Sequence, residues 1–160
     1  MRNDIPSNIF DAKTLFNSIG EAMHNGPKSS NADNYVSMKT KVERQLQAYD
    51  DAVEQRPNTL HLLSPLWPSD CPESKTARSM YKSNGDEIQQ IRNDLMQRNG
   101  NGDPYLCPIC ECEPIYHLDH YIPRDKMPEF SVHPQNLIYL CKHCNEKFHL
   151  PYINCYDSIN

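Results

Sequence analysis

Three stretches in the first hundred residues repeat apolar side chains at helical spacing. From Ser7 to His24 the series Ile9, Ala12, Leu15, Phe16, Ile19 and Met23 follows the three-and-four rhythm of one helix face. Gly26-Pro27 stops that run, and Ser30 or Asn31 offers a side-chain oxygen to cap the next. The second run, about Ala32 to Gln55, lines up Tyr35, Met38, Val42, Leu46, Tyr49 and Val53, so the two helices are expected to pair as a hairpin. Residues 56–73 contain Pro57, Pro65, Pro68 and Pro72 around an apolar cluster from Leu60 to Trp67. So many prolines predict a packed or partner-binding loop rather than a helix. A third helical stretch runs from about Lys75 to Arg98 with the stripe Ala77, Met80, Tyr81, Ile88, Ile91 and Leu95 and a break at Asn84-Gly85. Asn99-Gly-Asn-Gly-Asp-Pro104 then leads into a cysteine-rich third. Stripes of this kind are usually packing faces. They say that the first hundred residues fold, and assign them no chemistry.

The 160 residues are 38% hydrophobic, and no apolar run approaches the roughly 18 residues needed to cross a bilayer. The opening Met1-Arg-Asn-Asp-Ile-Pro lacks the apolar core of a secretory signal. The expectation is a cytoplasmic protein with no membrane contact, in which thiols stay reduced. Its seven cysteines therefore read as metal ligands rather than disulfides. Cys107-Pro-Ile-Cys110 and Cys141-Lys-His-Cys144 are two C-x-x-C turns with 30 residues between them. Each turn brings two thiolates to one ion, and two turns complete a closed tetrahedron that suits structural Zn²⁺. Unrelated buried cysteines and redox chemistry both explain the repeated spacing poorly. Cys112, two residues past the first pair, reads as a bystander. Cys71 and Cys155 read as free thiols, and His143 reads as facing solvent or supporting the zinc site from behind.

Between and after the cysteine pairs lie His117-Leu-Asp-His-Tyr-Ile-Pro123, Asn136-Leu-Ile-Tyr-Leu-Cys141 and Asn145-Glu-Lys-Phe-His149. These are residue types that phosphodiester hydrolysis uses. The carboxylate of Asp119 and the amide oxygen of Asn145 suit a hard cation such as Mg²⁺ or Mn²⁺. The imidazole of His120 can take a proton from an attacking water, while the cation stabilises charge on the phosphate. Strand alternation puts His117 on the side of Asp119, where it supports the metal site or is simply packed or exposed. His133 falls in a loop and is expected at the surface; His24 and His61 have no partner motif.

The strings D-H-Y-I-P, N-L-I-Y-L-C and the closing C-x-x-C-N resemble the HNH endonuclease family. The longer wording Leu118-Asp-His-Tyr-Ile-Pro-Arg and Pro128-Glu-Phe-Ser-Val-His-Pro-Gln-Asn-Leu resembles one branch, the HNH subunit of Septu-type antiphage systems and related retron operons. The resemblance covers roughly residues 75–150. It implies a ββα-metal module in which His120 is the general base and Asp119 and Asn145 are metal ligands. It also implies that Asn136 steadies the hairpin loop and orients the base, and that His149, four residues after Asn145, is a candidate third ligand. Many relatives carry lysine three residues after the helix asparagine; here Phe148 stands there and the lysine is Lys147. Pro151 stops the catalytic helix early, which shifts phosphate contacts towards Arg124, Lys126 or Lys142.

The expected fold is α+β: a helical partner-docking region over 1–73, a helical connector over 74–100, and a zinc-ribbon, treble-clef-like ββα-metal module over 101–160. Residues 1–100 carry 12 basic and 13 acidic side chains and residues 101–160 carry 4 and 8. Affinity for DNA comes mainly from Lys and Arg displacing counterions, so a net-acidic module grips it poorly alone. The resemblance implies a DNA endonuclease working beside an ABC-type ATPase, and that partner is expected to dock on the N-terminal helices. The alternatives are a stand-alone restriction or repair HNH nuclease, and a non-catalytic zinc module that binds nucleic acid or protein.

Overall fold

Asp11 decides where the first helix starts. Its backbone is extended (φ −64°, ψ 134°), and its carboxylate accepts hydrogen bonds from the Thr14 backbone N at 2.8 Å and the Thr14 hydroxyl at 2.9 Å. A capping side chain thus satisfies a donor that the first turn leaves open. Helix α1 therefore runs Ala12–Asn25, and the expected start at Ser7 is corrected because the extended Asp11 interrupts the run. The computed structural model describes residues 11–26, 30–55, 60, 62–82, 86–96 and 103–147; Ile9, His61, His149 and Cys155 lie outside them.

Helix α2 spans Ser30–Gln55, α3 Pro72–Lys82 and α4 Asp86–Met96. α3 begins three residues before the expected Lys75. Pro72 occupies a first-turn position where its missing N–H costs nothing, and the Cys71 sulfur accepts from the Ser74 backbone N at 3.4 Å. α3 and α4 lie on either side of the expected break at Asn84-Gly85.

The stripes close on one another as the spacing predicts. Leu15, Phe16, Ile19, Tyr35, Met38, Val42, Leu46 and Tyr49 are all buried, with Ala77, Met80, Ile88 and Ile91 from the later helices. Where α1 meets α2, Gly20 lets the Tyr35 ring lie against the helix backbone: an added Cβ would sit 2.0 Å from Tyr35 Cε2. The Tyr35 hydroxyl is tied to Asn17 Oδ1 at 3.1 Å, and its ring stands 5.6 Å from that of Phe16. Gly20→Ala should therefore destabilise by about 1–3 kcal/mol through overpacking, despite alanine's helix preference of about 1 kcal/mol over glycine. Thermal unfolding checks this, and an unchanged or raised Tm would show that Tyr35 repacks freely.

The same core continues into the cysteine-rich third through Ile122, Met127, Phe130 and Val132, crossing the limits expected at 73 and 100. Phe130 meets Tyr49 edge-on with ring centroids 4.8 Å apart. Leu60, Leu63, Leu66 and Trp67 pack against this core, whereas Leu62 stays 63% exposed. The buried Glu129 anchors that segment by accepting from the Leu66 backbone N at 2.9 Å. Burial pushes the Glu129 carboxyl up, with its own and the Leu66 backbone N–H groups pulling partly back.

Two short strands, β1 (His117–His120) and β2 (Leu137–Leu140), pair antiparallel with His117 opposite Leu140 and His120 opposite Leu137. Helix α5 (Lys142–Lys147) follows and packs against β1. The architecture is thus mixed α+β, a helical body with a small two-stranded sheet beside a four-cysteine cluster. Among the described residues no helix is long and apolar enough to cross a membrane.

Candidate metal centre and hydrolytic site

The two C-x-x-C turns meet as their spacing predicts. The Sγ atoms of Cys107, Cys110, Cys141 and Cys144 all lie within 4.8 Å of one another. Cys110 and Cys141, one from each turn, are 3.8 Å apart. A zinc tetrahedron with bonds of about 2.3 Å has sulfur–sulfur edges of about 3.8 Å, so the donor set and its spacing fit Zn²⁺. Local backbone builds each turn. Glu111 N donates to Cys107 O at 2.8 Å, with Glu111 itself in the left-handed region at φ 54°. In the second turn Cys144 N donates to Cys141 Sγ at 3.3 Å and Asn145 N to Cys141 O at 3.0 Å.

Cys107, Cys141 and Cys144 are buried, and with Leu140 they form a small cluster separate from the main core. Burial, and then the neighbouring sulfurs of Cys141, Cys107 and Cys110, push the Cys144 thiol well above the ordinary thiol range. Burial also pushes Cys107 up, but hydrogen bonds from the Cys141, Cys110 and Ile109 backbone outweigh it and hold that thiol at about 7. Four such sulfurs cannot all be ionised without a cation among them; a dication removes the conflict.

The cysteine cluster fixes both ends of the hairpin: Cys107 precedes β1, and Cys141 joins β2 to α5. On β1, Leu118 packs into the main core, and alternation places His120 on that same side with His117 and Asp119 on the other. Asp119 Oδ1 accepts from the His120 backbone N at 2.8 Å. α5 carries Asn145 beside the strand that carries Asp119. Among the described residues, the cysteines are the group of three or more His, Cys, Asp or Glu donors close enough to share an ion.

His120 sits at the end of β1. Its Nε2 lies 2.8 Å from the Ser131 carbonyl oxygen. A carbonyl can only accept, so Nε2 carries the hydrogen and the neutral ring keeps its lone pair on Nδ1. Burial holds the His120 pKa below its ordinary value, with the Ser131 bond raising it, Arg124 lowering it and Asp119 raising it. The loop from Tyr121 to Gln135 is closed by Asn136, which is fully buried. Its Oδ1 accepts from Ile122 N at 2.7 Å, and its Nδ2 donates to the Ile122 and Phe130 carbonyls, both at 3.1 Å. One amide thus ties the loop's beginning, middle and end together.

His133 is corrected. It was expected at the surface and is fully buried, because 3-10 turns at Pro128–Phe130 and Pro134–Asn136 fold the loop down onto α2. Its ring lies 4.2 Å from that of Tyr49, its Nδ1 accepts from Gln135 N at 3.2 Å, and its Nε2 is 3.3 Å from the Asp50 carboxylate. With Asp11, Gln47 and Glu54 it lines a cavity of about 410 Å³ that includes none of the expected catalytic residues. Of the other candidates, His117 is half-buried against the Tyr116 ring at 4.8 Å, while Cys112, His143, Lys126 and Lys142 are exposed.

Tyr81 stands in the stripe that spacing assigns to a packing face, yet it reaches the site. Its hydroxyl donates to the Leu118 carbonyl at 3.2 Å, its ring meets His120 edge-on at 4.6 Å, and the Arg124 guanidinium lies 5.0 Å over it. A tyrosine where leucine would serve packing equally well was the available signal. Protein-family models, curated proteins and solved structures offer no match to the chain.

Proposed function

We propose that this chain is a metal-dependent endonuclease of the HNH type, with structural Zn²⁺ on Cys107, Cys110, Cys141 and Cys144. The observation that carries the reading is the state of His120. Its Nε2–H is committed to the Ser131 carbonyl, so Nδ1 is left to receive a proton, and burial favours the neutral ring. A histidine held in one tautomer at a strand end is what a general base requires.

The supporting parts are local. Asn136 holds the loop that contains Ser131, and so holds the carbonyl that fixes the imidazole. Asp119 and Asn145, on adjoining elements, supply oxygen donors suited to Mg²⁺ or Mn²⁺, with His149 beyond the described residues as a further candidate. When bound, such an ion would supply positive charge to the phosphate and the departing oxygen. His120 would take the proton of the incoming water, Ser131 would keep the ring from turning, and Asn136 would keep Ser131 in place.

DNA is the proposed substrate. The proposed setting is an antiphage complex in the cytoplasm, in which an ABC-type ATPase grips the DNA that a net-acidic chain holds weakly. Purified protein should cleave DNA when Mg²⁺ or Mn²⁺ is added and not in its absence, alone or with the ATPase present. No cleavage under either condition, with zinc in place, would favour a non-catalytic zinc module.

A further inference from the structure

We propose that Tyr81, on α3, is a positioning residue that holds Arg124 as the phosphate-binding arm beside His120. The proposal rests on the nuclease reading only in naming nucleic-acid phosphate as the ligand. Its structural basis is one stack of three side chains. The Arg124 guanidinium lies over the Tyr81 ring at 5.0 Å, and the same ring meets the His120 imidazole at 4.6 Å. The Tyr81 hydroxyl is fastened to the Leu118 carbonyl on β1 at 3.2 Å. The ring is therefore fixed at its far end and presents its faces and edge to the two other groups.

Arg124 is left with donors to spare. Among the described residues its buried Nη1 has no hydrogen-bond partner, and no carboxylate pairs with it. Asp125, its neighbour in the chain, lies 3.8 Å from Arg78 Nε, and the buried Glu129 accepts from Leu66. A guanidinium that is always charged and presents a planar fork of donors matches a phosphate. The side chain is half-buried rather than enclosed, so part of its charged fork remains open to an anion. Stacking on tyrosine removes much of the rotational freedom an arginine otherwise loses on binding. Lys126 and Lys142 are exposed and have no such support among the described residues. The arrangement also gives α3 a use beyond packing, since the helical body then supplies part of the site.

The test is binding of a short fluorescent DNA duplex at low salt to the full chain, with zinc in place and no Mg²⁺ or Mn²⁺, so that affinity is read apart from cleavage. Arg124→Gln should weaken binding roughly 10- to 100-fold and reduce the slope of log affinity against log salt by about 0.9, one phosphate contact. Tyr81→Leu should reproduce that loss without adding to it in the double variant. Tyr81→Phe keeps the ring but loses its hydroxyl anchor on the Leu118 carbonyl, and should lose less affinity than Tyr81→Leu. Should Tyr81→Leu fail to fold, the contrast between Arg124→Gln and Tyr81→Phe carries the test. Parental affinity and slope in Arg124→Gln would overturn the proposal, as would equal losses in Tyr81→Phe and Tyr81→Leu, or no duplex binding by the parent. The nuclease reading fails separately: duplex binding that depends on Arg124, without cleavage when Mg²⁺ or Mn²⁺ is added either alone or with the ATPase present, would sink it and leave this site standing.

Discussion

Changing Cys107 or Cys144 to serine is expected to melt the hairpin base and α5 while leaving α1, α2 and α3 helical. The four cysteines, with Leu140, form a cluster apart from the main core, so few apolar contacts hold this end of the chain once the ion is gone. Structural zinc sites of this kind contribute on the order of 10–16 kcal/mol of apparent binding free energy near neutral pH, more than a six-residue helix and two four-residue strands can replace. Ile122, Met127, Phe130 and Val132 belong to the helical core, so the loop they sit on should stay attached. Limited proteolysis should therefore cut first near the cysteines and α5, and circular dichroism should keep most of its helical signal. Chelation should reproduce the effect. So should mild acidification, because protons compete with zinc for thiolates. Metal analysis of the pure parent should find one zinc per chain; its absence would overturn the tetrahedral reading.

How much of this was legible beforehand depends on how local each cause is. The cysteine turns were legible because a two-residue spacer forces two sulfurs together whatever surrounds them. The helix stripes were legible because their period is set by the helix itself. The start of α1 was misjudged by periodicity: Asp11 stops the helix through one carboxylate–Thr14 contact, and apolar residues on both sides hid that. His133 was misplaced because a loop flanked by prolines looks exposed, whereas its two 3-10 turns lay it on Tyr49 of α2, a contact made across the fold. Tyr81 counted as one more apolar position. Its role depends on Leu118, His120 and Arg124, which pairing along the chain does not connect to α3.

His120→Ala should lose cleavage by a factor of roughly 10²–10⁴, the usual contribution of a general base, with zinc content unchanged. Alanine also removes the donor to the Ser131 carbonyl, and a buried acceptor left unpaired costs about 1–3 kcal/mol, so a modest drop in Tm is expected alongside. Activity loss alone would therefore not separate chemistry from a loosened loop. His120→Gln does. Its amide nitrogen can reach the Ser131 carbonyl much as Nε2 does, but it offers no group that accepts a proton near neutral pH. The glutamine variant should keep most of the parental Tm and remain as inactive as the alanine variant. A structural role for His120 makes the opposite forecast, in which restoring the hydrogen bond restores the rate. Single-turnover cleavage at saturating Mn²⁺ distinguishes them, since it reads the chemical step without product release. Recovery of His120→Gln to within about tenfold of the parent would be too small a loss for a general base and would remove His120 from that role.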